Sequence, residues 1–209
     1  MPATRMTLPP DLAALVPEGE QVLWQGRPAT LALARDAFGL PWVAGWFALL
    51  CAWKFAAAAA AGGLLAGLAF ATPYAALGLA ACAILLLMAW AQARGAHYAL
   101  TSRRALIRAG AALQVTFNLP YRQIAAASLA TRRDGTGTIA FRPAGGNRIA
   151  ILTLWPHARP WRLRQPEPAF RCIPDAAAVA ALLADAAETT VAEPVVAGPR
   201  GAAAAAPAG

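Results

Sequence analysis

Charge of either sign is scarce. Only 13% of the 209 residues are Asp, Glu, Lys or Arg, and Lys54 is the only lysine among 18 basic residues. Cysteine is scarcer still. Cys51, Cys82 and Cys172 show no metal-ligand or redox spacing, which excludes a disulfide framework, a CxxC redox centre and a cysteine zinc site. The three read as small apolar fillers. The two histidines, His97 and His157, stand far apart. Paired carboxylates, a Ser/His/Asp set and a phosphate-cradling glycine loop are all missing. Without them catalysis has no residue support, and the sequence predicts a non-enzymatic chain with no metal and no cofactor. A cleavable leader is not expected either, because the first apolar run begins far from Met1 behind an acidic, Pro-containing segment.

What the chain has instead is hydrocarbon. It is 59% hydrophobic, with a mean hydropathy of +0.48. Phe38 to Trp90 is almost wholly apolar, and Lys54 is its only charge. One helix needs roughly 20 residues to cross a bilayer, so this run accommodates two and a turn. Arg5, Arg27 and Arg35 precede it; Arg94, Arg103, Arg104 and Arg108 follow it. Basic flanks stay in the cytoplasm, and two cytoplasmic flanks require an even number of crossings. The pattern predicts a two-helix transmembrane hairpin, Phe38–Ala61 and Tyr74–Ala93, turning between Gly62 and Pro73. Both termini would then be cytoplasmic, in a multi-pass membrane protein. Lys54 would extend its stem toward the far headgroups. The net charge of +8 fits nucleic acid or anionic lipid. The topology favours lipid and argues against nucleic acid.

Four regions follow: an arm over 1–36, the hairpin over 37–94, a β-rich domain over 95–188 and a disordered tail over 189–209. In the arm, Asp11–Leu15 reads as a short helix between prolines, and Glu20–Pro28 as a short strand or packed arm, with Trp24 and Arg27 docked on the domain in preference to the headgroup level. Strands are predicted at His97–Thr101, Ala105–Ala109, Leu113–Leu119, Ile124–Thr131, Thr136–Arg142 and Arg148–Leu154. Alternation is clear in Val115, Phe117 and Leu119 against Gln114, Thr116 and Asn118 and recurs at Ile149 and Ile151, and turn residues such as Asp134-Gly135 separate the segments. Leu154–Asp175 carries five prolines, from which neither helix nor continuous strand is expected. Asp175 is placed as the cap of a helix to about Glu188, with Val179, Leu182, Leu183 and Ala186 on one face. The predicted fold is α+β: the membrane hairpin, then an antiparallel β domain of pleckstrin-homology layout closed by a C-terminal helix.

Candidate site residues gather in the Pro-rich loop. Trp155, His157, Arg159, Trp161, Arg162 and Arg164 combine the residue types enriched at energetically dense interfaces. The alternative is that the tryptophans fill the barrel mouth while the arginines solvate its rim. His157 has the chemistry to ligate a metal or a chlorin magnesium. A structural hydrogen bond is the commoner role. Arg159, Arg162, Arg164 and Arg171 lie near enough in sequence to Glu167 for an ion network. Arg103, Arg104, Arg132 and Arg133 are placed to touch anionic lipid, with a solvated hairpin as the alternative.

VLWQGRP at Val22–Pro28, TFNLPYRQIAAASL at Thr116–Leu129, DGTG at Asp134–Gly137 and LWPHARPWRLRQPEPAFRCIPD at Leu154–Asp175 resemble the PuhB family of photosynthetic complex assembly proteins. The likeness runs from about Pro17 to about Ala187. VLWQGRP and the strand pattern are also similar to membrane-anchored bacterial pleckstrin-homology proteins in general. The resemblance implies an assembly factor for the reaction centre of purple phototrophic bacteria, in their inner, photosynthetic intracytoplasmic membrane. Its partners would be reaction-centre subunits and neighbouring light-harvesting or assembly proteins, and it would self-associate as a homo-oligomer. No individual residue receives a role from this resemblance.

Overall fold

The structure is a computed structural model, described for residues 10–14, 16, 17, 19–110, 114–145, 155–159 and 166–192. The first element is a one-turn helix, α1 (Pro10–Ala13). Strand β1 (Val22–Gly26) follows, then a short helix α2 (Thr30–Asp36). The apolar element α3 (Leu40–Gly95) comes next. After it run β2 (His97–Thr101), β3 (Arg104–Ala109), β4 (Val115–Pro120), a 3-10 turn at Tyr121–Gln123, β5 (Ile124–Thr131) and β6 (Gly137–Pro143). Strand β7 (Ala169–Ile173) and helix α4 (Ala176–Ala192) complete the described chain.

The strands form two antiparallel sheets, β1-β2-β3-β4 and β5-β6-β7. Alternation decides which side chains enter the core. Tyr98 and Leu100 of β2 and Ile107 of β3 point inward, as do Ile139, Phe141 and Phe170 of the second sheet. Helix α4 closes this core with Val179, Leu183 and Ala186. The opposite face of the first sheet is also covered, because Ala99 and Leu106 pack against Leu12 of α1. That second layer explains why β2 and β3 bury consecutive residues rather than alternate ones.

Element α3 is 56 residues long and broken at Gly63, whose φ of 78° and ψ of −175° are not helical. Residues far apart along it touch. A Cβ at Gly78 would lie 2.7 Å from Phe47, and one at Gly67 3.0 Å from Phe55 and Ala59. Cys51 Sγ lies 3.9 Å from the Ala71 carbonyl oxygen, and the Lys54 ammonium lies 5.6 Å from the Tyr74 ring centre. Phe47 and Gly78 would stand roughly 45 Å apart on a straight helix at 1.5 Å per residue. The chain therefore reverses at Gly63. The two ends of α3 meet in one apolar cluster, where Ala93 and Phe38 join Ala32 and Leu33 of α2.

Several expectations change. The broad turn over Gly62–Pro73 contracts to Gly63, and Pro73 sits inside helical backbone. Neighbouring helical segments can meet the backbone groups that a proline frees in an apolar setting. The Pro-rich segment does contain a strand, β7, because its prolines lie at 166, 168 and 174, leaving Ala169–Ile173 free to pair with β6. Helix α2 was not anticipated: seven residues are too few for a periodic pattern to show. Helix α4 continues past Glu188 to Ala192, and Asp175 precedes it in a left-handed conformation (φ 49°) rather than an extended one. Trp24 does dock on the domain, 5.7 Å from Phe170 between ring centres. The strand expected at Arg148–Leu154 lies outside the described residues, as does the tail from 193 onward.

Candidate functional site

The loop at 155–159 is strapped to the start of β7. Ala158 bridges Pro168, the Ala169 N–H donates to the His157 carbonyl at 2.9 Å, and the Arg159 N–H donates to that of Glu167 at 2.9 Å. Extended backbone on both sides allows this, even between prolines, because the bonds use non-proline N–H groups.

His157 is wholly buried. Its Nδ1 lies 2.6 Å from the Tyr98 hydroxyl, which in turn accepts the Arg171 N–H at 3.3 Å. The Tyr98 hydroxyl thus links the Arg171 backbone to the His157 ring, whose other nitrogen is Nε2. That atom has no hydrogen-bond partner among the described residues. Burial, reinforced by the Arg171 charge, lowers the His157 pKa to about 4. Burial also raises the Tyr98 pKa. His157 is consequently a neutral core group with no exposed edge for a pigment or metal.

Around it the loop is held by charge. Arg171, itself buried, donates through Nη1 to the carbonyls of Pro156 (3.3 Å) and Ala158 (3.4 Å). Buried Glu167 accepts from Arg159 Nη1 at 3.0 Å and Arg142 Nε at 3.3 Å. Arg159 Nη1 also reaches Ser128 Oγ at 3.2 Å. The ion network anticipated around Glu167 therefore exists with Arg159 and Arg142, while Arg171 serves the loop backbone. Trp155 remains 46% exposed and meets Phe38 edge-on, ring centres 5.2 Å apart. The loop is thereby pinned to the base of α3. Trp161, Arg162 and Arg164 lie outside the described residues.

The four basic residues placed against lipid divide. Arg104 donates through Nε (3.0 Å) and Nη2 (2.7 Å) to one oxygen, Oε1, of Glu20, whose almost fully covered carboxylate accepts from Thr101 Oγ1 on Oε2 at 3.1 Å. Arg132 grips Asp36 at the end of α2, Nε to Oδ2 at 2.6 Å. Beside it Arg35 donates to Asp134 at 2.7 Å. Thr136 and Arg35 together lower the Asp134 pKa. Arg103 and Arg133 are exposed. The β5–β6 hairpin is thus tied by two ion pairs to α2, and through α2 to the base of α3. Sequence reasoning missed Tyr98, Glu20 and Asp36 as partners, since each lies tens of residues from the group it meets.

Two sheets of four and three antiparallel strands, closed by a C-terminal helix, define the class. The family model described as the bacterial PH domain matches residues 36–187, and the chain belongs to that family. It is also 45% identical over 198 residues to a 23.7 kDa protein of Rhodobacter capsulatus, encoded in the puhA 5′ region. That match covers 93% of this chain and 92% of the relative. No solved structure matches. Among the described residues, α3 is long and apolar enough to cross a membrane, and only 11% of its most apolar window is buried within the protein.

Proposed function

We propose that the chain is a membrane-bound, non-enzymatic factor that supports assembly of the photosynthetic reaction centre through protein contact at the cytoplasmic membrane face. The observation that carries this reading is the Rhodobacter capsulatus relative, whose gene neighbours the reaction-centre gene puhA. Exposed tryptophans and leucines on α3 support the membrane part: Trp42 is 86% exposed and Leu65 81%. The reversal at Gly63, the meeting of Phe38 with Ala93 and the arginines on both flanks support two crossings. The PH domain then sits on the cytoplasmic side, held at the bilayer by α2 and Trp155.

In this reading Trp155 and Arg159, with Trp161, Arg162 and Arg164, present the surface that an incoming reaction-centre, light-harvesting or assembly subunit meets. His157 positions the loop from within. Deleting the gene should lower reaction-centre absorbance, and the wild-type gene should restore it. Restoration by a W155A/W161A variant, at unchanged protein level, would exclude this surface. Unaltered absorbance after deletion would exclude the role.

A second reading, a lipid-binding PH module with no photosynthetic role, draws on the family match and the exposed Arg133. It requires affinity for anionic vesicles that falls steeply with salt, and a normal reaction-centre yield after deletion.

A further inference from the structure

Strand β5 pairs with β6 alone among the described residues. It is eight residues long, IAAASLAT, and uncharged; six of the eight are exposed. Edge strands normally carry charges, prolines or bulges that discourage pairing. Here the one irregularity lies at the very start, between Ile124 and Ala126. From Ala126 to Thr131 a regular edge, clothed mostly in small side chains, has no second partner strand among the described residues.

The two faces beside that edge differ in chemistry. Residues opposite one another across antiparallel strands share a face. Leu129 lies opposite Ile139, and Ala127 opposite Phe141, so both lie on the α4 side of the sheet, where Leu129 is still 44% exposed. An apolar groove of about 290 Å³ continues this side, walled by Leu129, Ile139 and by Leu183, Ala184 and Ala187 of α4. Ser128 lies opposite Ala140, and Ala130 opposite Thr138, so these point away from the core. A cleft of about 480 Å³ continues that side, lined by Arg132, Arg159 and Arg171; Asp36 pairs with Arg132 and Glu167 with Arg159, which leaves the Arg171 charge in excess. Arg171 is 5% exposed, and its Nε has no partner among the described residues. A buried guanidinium with an unused donor costs free energy unless a ligand completes it.

We infer that the β5 edge receives an extended segment of another protein, in which apolar residues alternate with acidic ones. The added strand pairs its backbone with β5, as in other strand-addition complexes. Its alternate side chains fall to opposite faces. Apolar ones enter the groove under α4, and carboxylates enter the arginine cleft. Charge selects this occupant over a second copy, because a paired β5 brings no acidic side chain to neutralise the cleft. The inference gives chemistry to the partner in the function proposed above, on a surface beside the Trp155 loop.

The test uses the full chain in phosphatidylcholine nanodiscs at neutral pH. The probe is a nine-residue peptide alternating valine with glutamate, compared with one in which lysine replaces glutamate. The glutamate peptide should slow hydrogen exchange across Ala126–Ala130 and bind at least tenfold tighter than the lysine peptide. Ala130→Glu, an exposed change facing the cleft, should weaken it at least fivefold at an unchanged Tm; Ala130→Lys should not weaken it. Equal binding of the two peptides overturns the inference. So does full exchange protection of β5 before any peptide is added, or anionic vesicles binding the cleft where the peptide fails. Reaction-centre yield in the deletion strain is a separate readout, so the assembly role can fail while this site stands, and the reverse.

Discussion

The Tyr98 hydroxyl and His157 Nδ1 lie 2.6 Å apart in the core, joining the first strand after α3 to the Pro-rich loop. Neither ring tolerates charge there, since burial holds the imidazole at a pKa of about 4 against an ordinary 6.5. The neutral imidazole is the form that this contact holds, and acid acts on the loop through protonation of His157.

Between pH 6.5 and 4 the unfolded chain protonates His157 while the folded chain does not. Its contribution to stability is thus present above pH 6.5 and lost as pH falls toward 4, by about 3 kcal/mol over the window. Thermal melts across that range should show Tm falling with acid, and the slope should flatten in His157→Gln. An equal slope in the variant would mean that the imidazole is not buried.

Arg104 and Arg133 separate structure from lipid contact. Arg104→Gln breaks the two bonds to the covered carboxylate of Glu20 and should cost about 1–3 kcal/mol, read by urea unfolding. Binding of the protein to anionic vesicles should be unaffected. Arg133→Glu should do the opposite, leaving stability within about 0.5 kcal/mol and weakening vesicle binding.

Glu167→Gln removes the charge that Arg159 and Arg142 share. Both arginines are partly solvated, so the expected loss is modest, about 1–2 kcal/mol. The Trp155 loop should loosen with it. Limited proteolysis near 155–159 reports the loosening, and unchanged cleavage would show that the backbone bonds suffice.

The strands were legible where their signal was local. Turn residues marked the ends of β2 at Thr101-Ser102-Arg103 and of β5 at Arg133-Asp134-Gly135, while alternation marked β4 through Val115, Phe117 and Leu119. β7 was hidden by the prolines around it; what makes it a strand is β6, 30 residues earlier, offering a partner. The candidate site was half legible. Trp and Arg types in the loop were visible, yet nothing in sequence tells that His157 faces Tyr98 or that Glu20 waits for Arg104. Those pairings depend on how the two sheets close, which no local pattern encodes.

Within α3, Gly78 and Gly67 allow the two arms to approach. Gly78→Leu would drive a side chain into Phe47, and close contact of small residues is what joins helices in lipid. With Cys82 and Cys172 replaced by alanine, Ala71→Cys should crosslink rapidly to Cys51 within one chain. Adding Gly78→Leu should slow that reaction at least tenfold. Crosslinks only between chains would show that the arms pack intermolecularly.

A doubly anchored PH domain requires a chain that enters the bilayer, turns at Gly63 and returns. Fusing a cytoplasm-active fluorescent protein and a periplasm-active phosphatase in turn to the N-terminus, to Gly63 and to the C-terminus measures this directly. Fluorescence at both termini and phosphatase activity only at Gly63 are the predicted results. Termini reporting from opposite sides would contradict a doubly anchored PH domain, and with it the assembly role proposed for its cytoplasmic face.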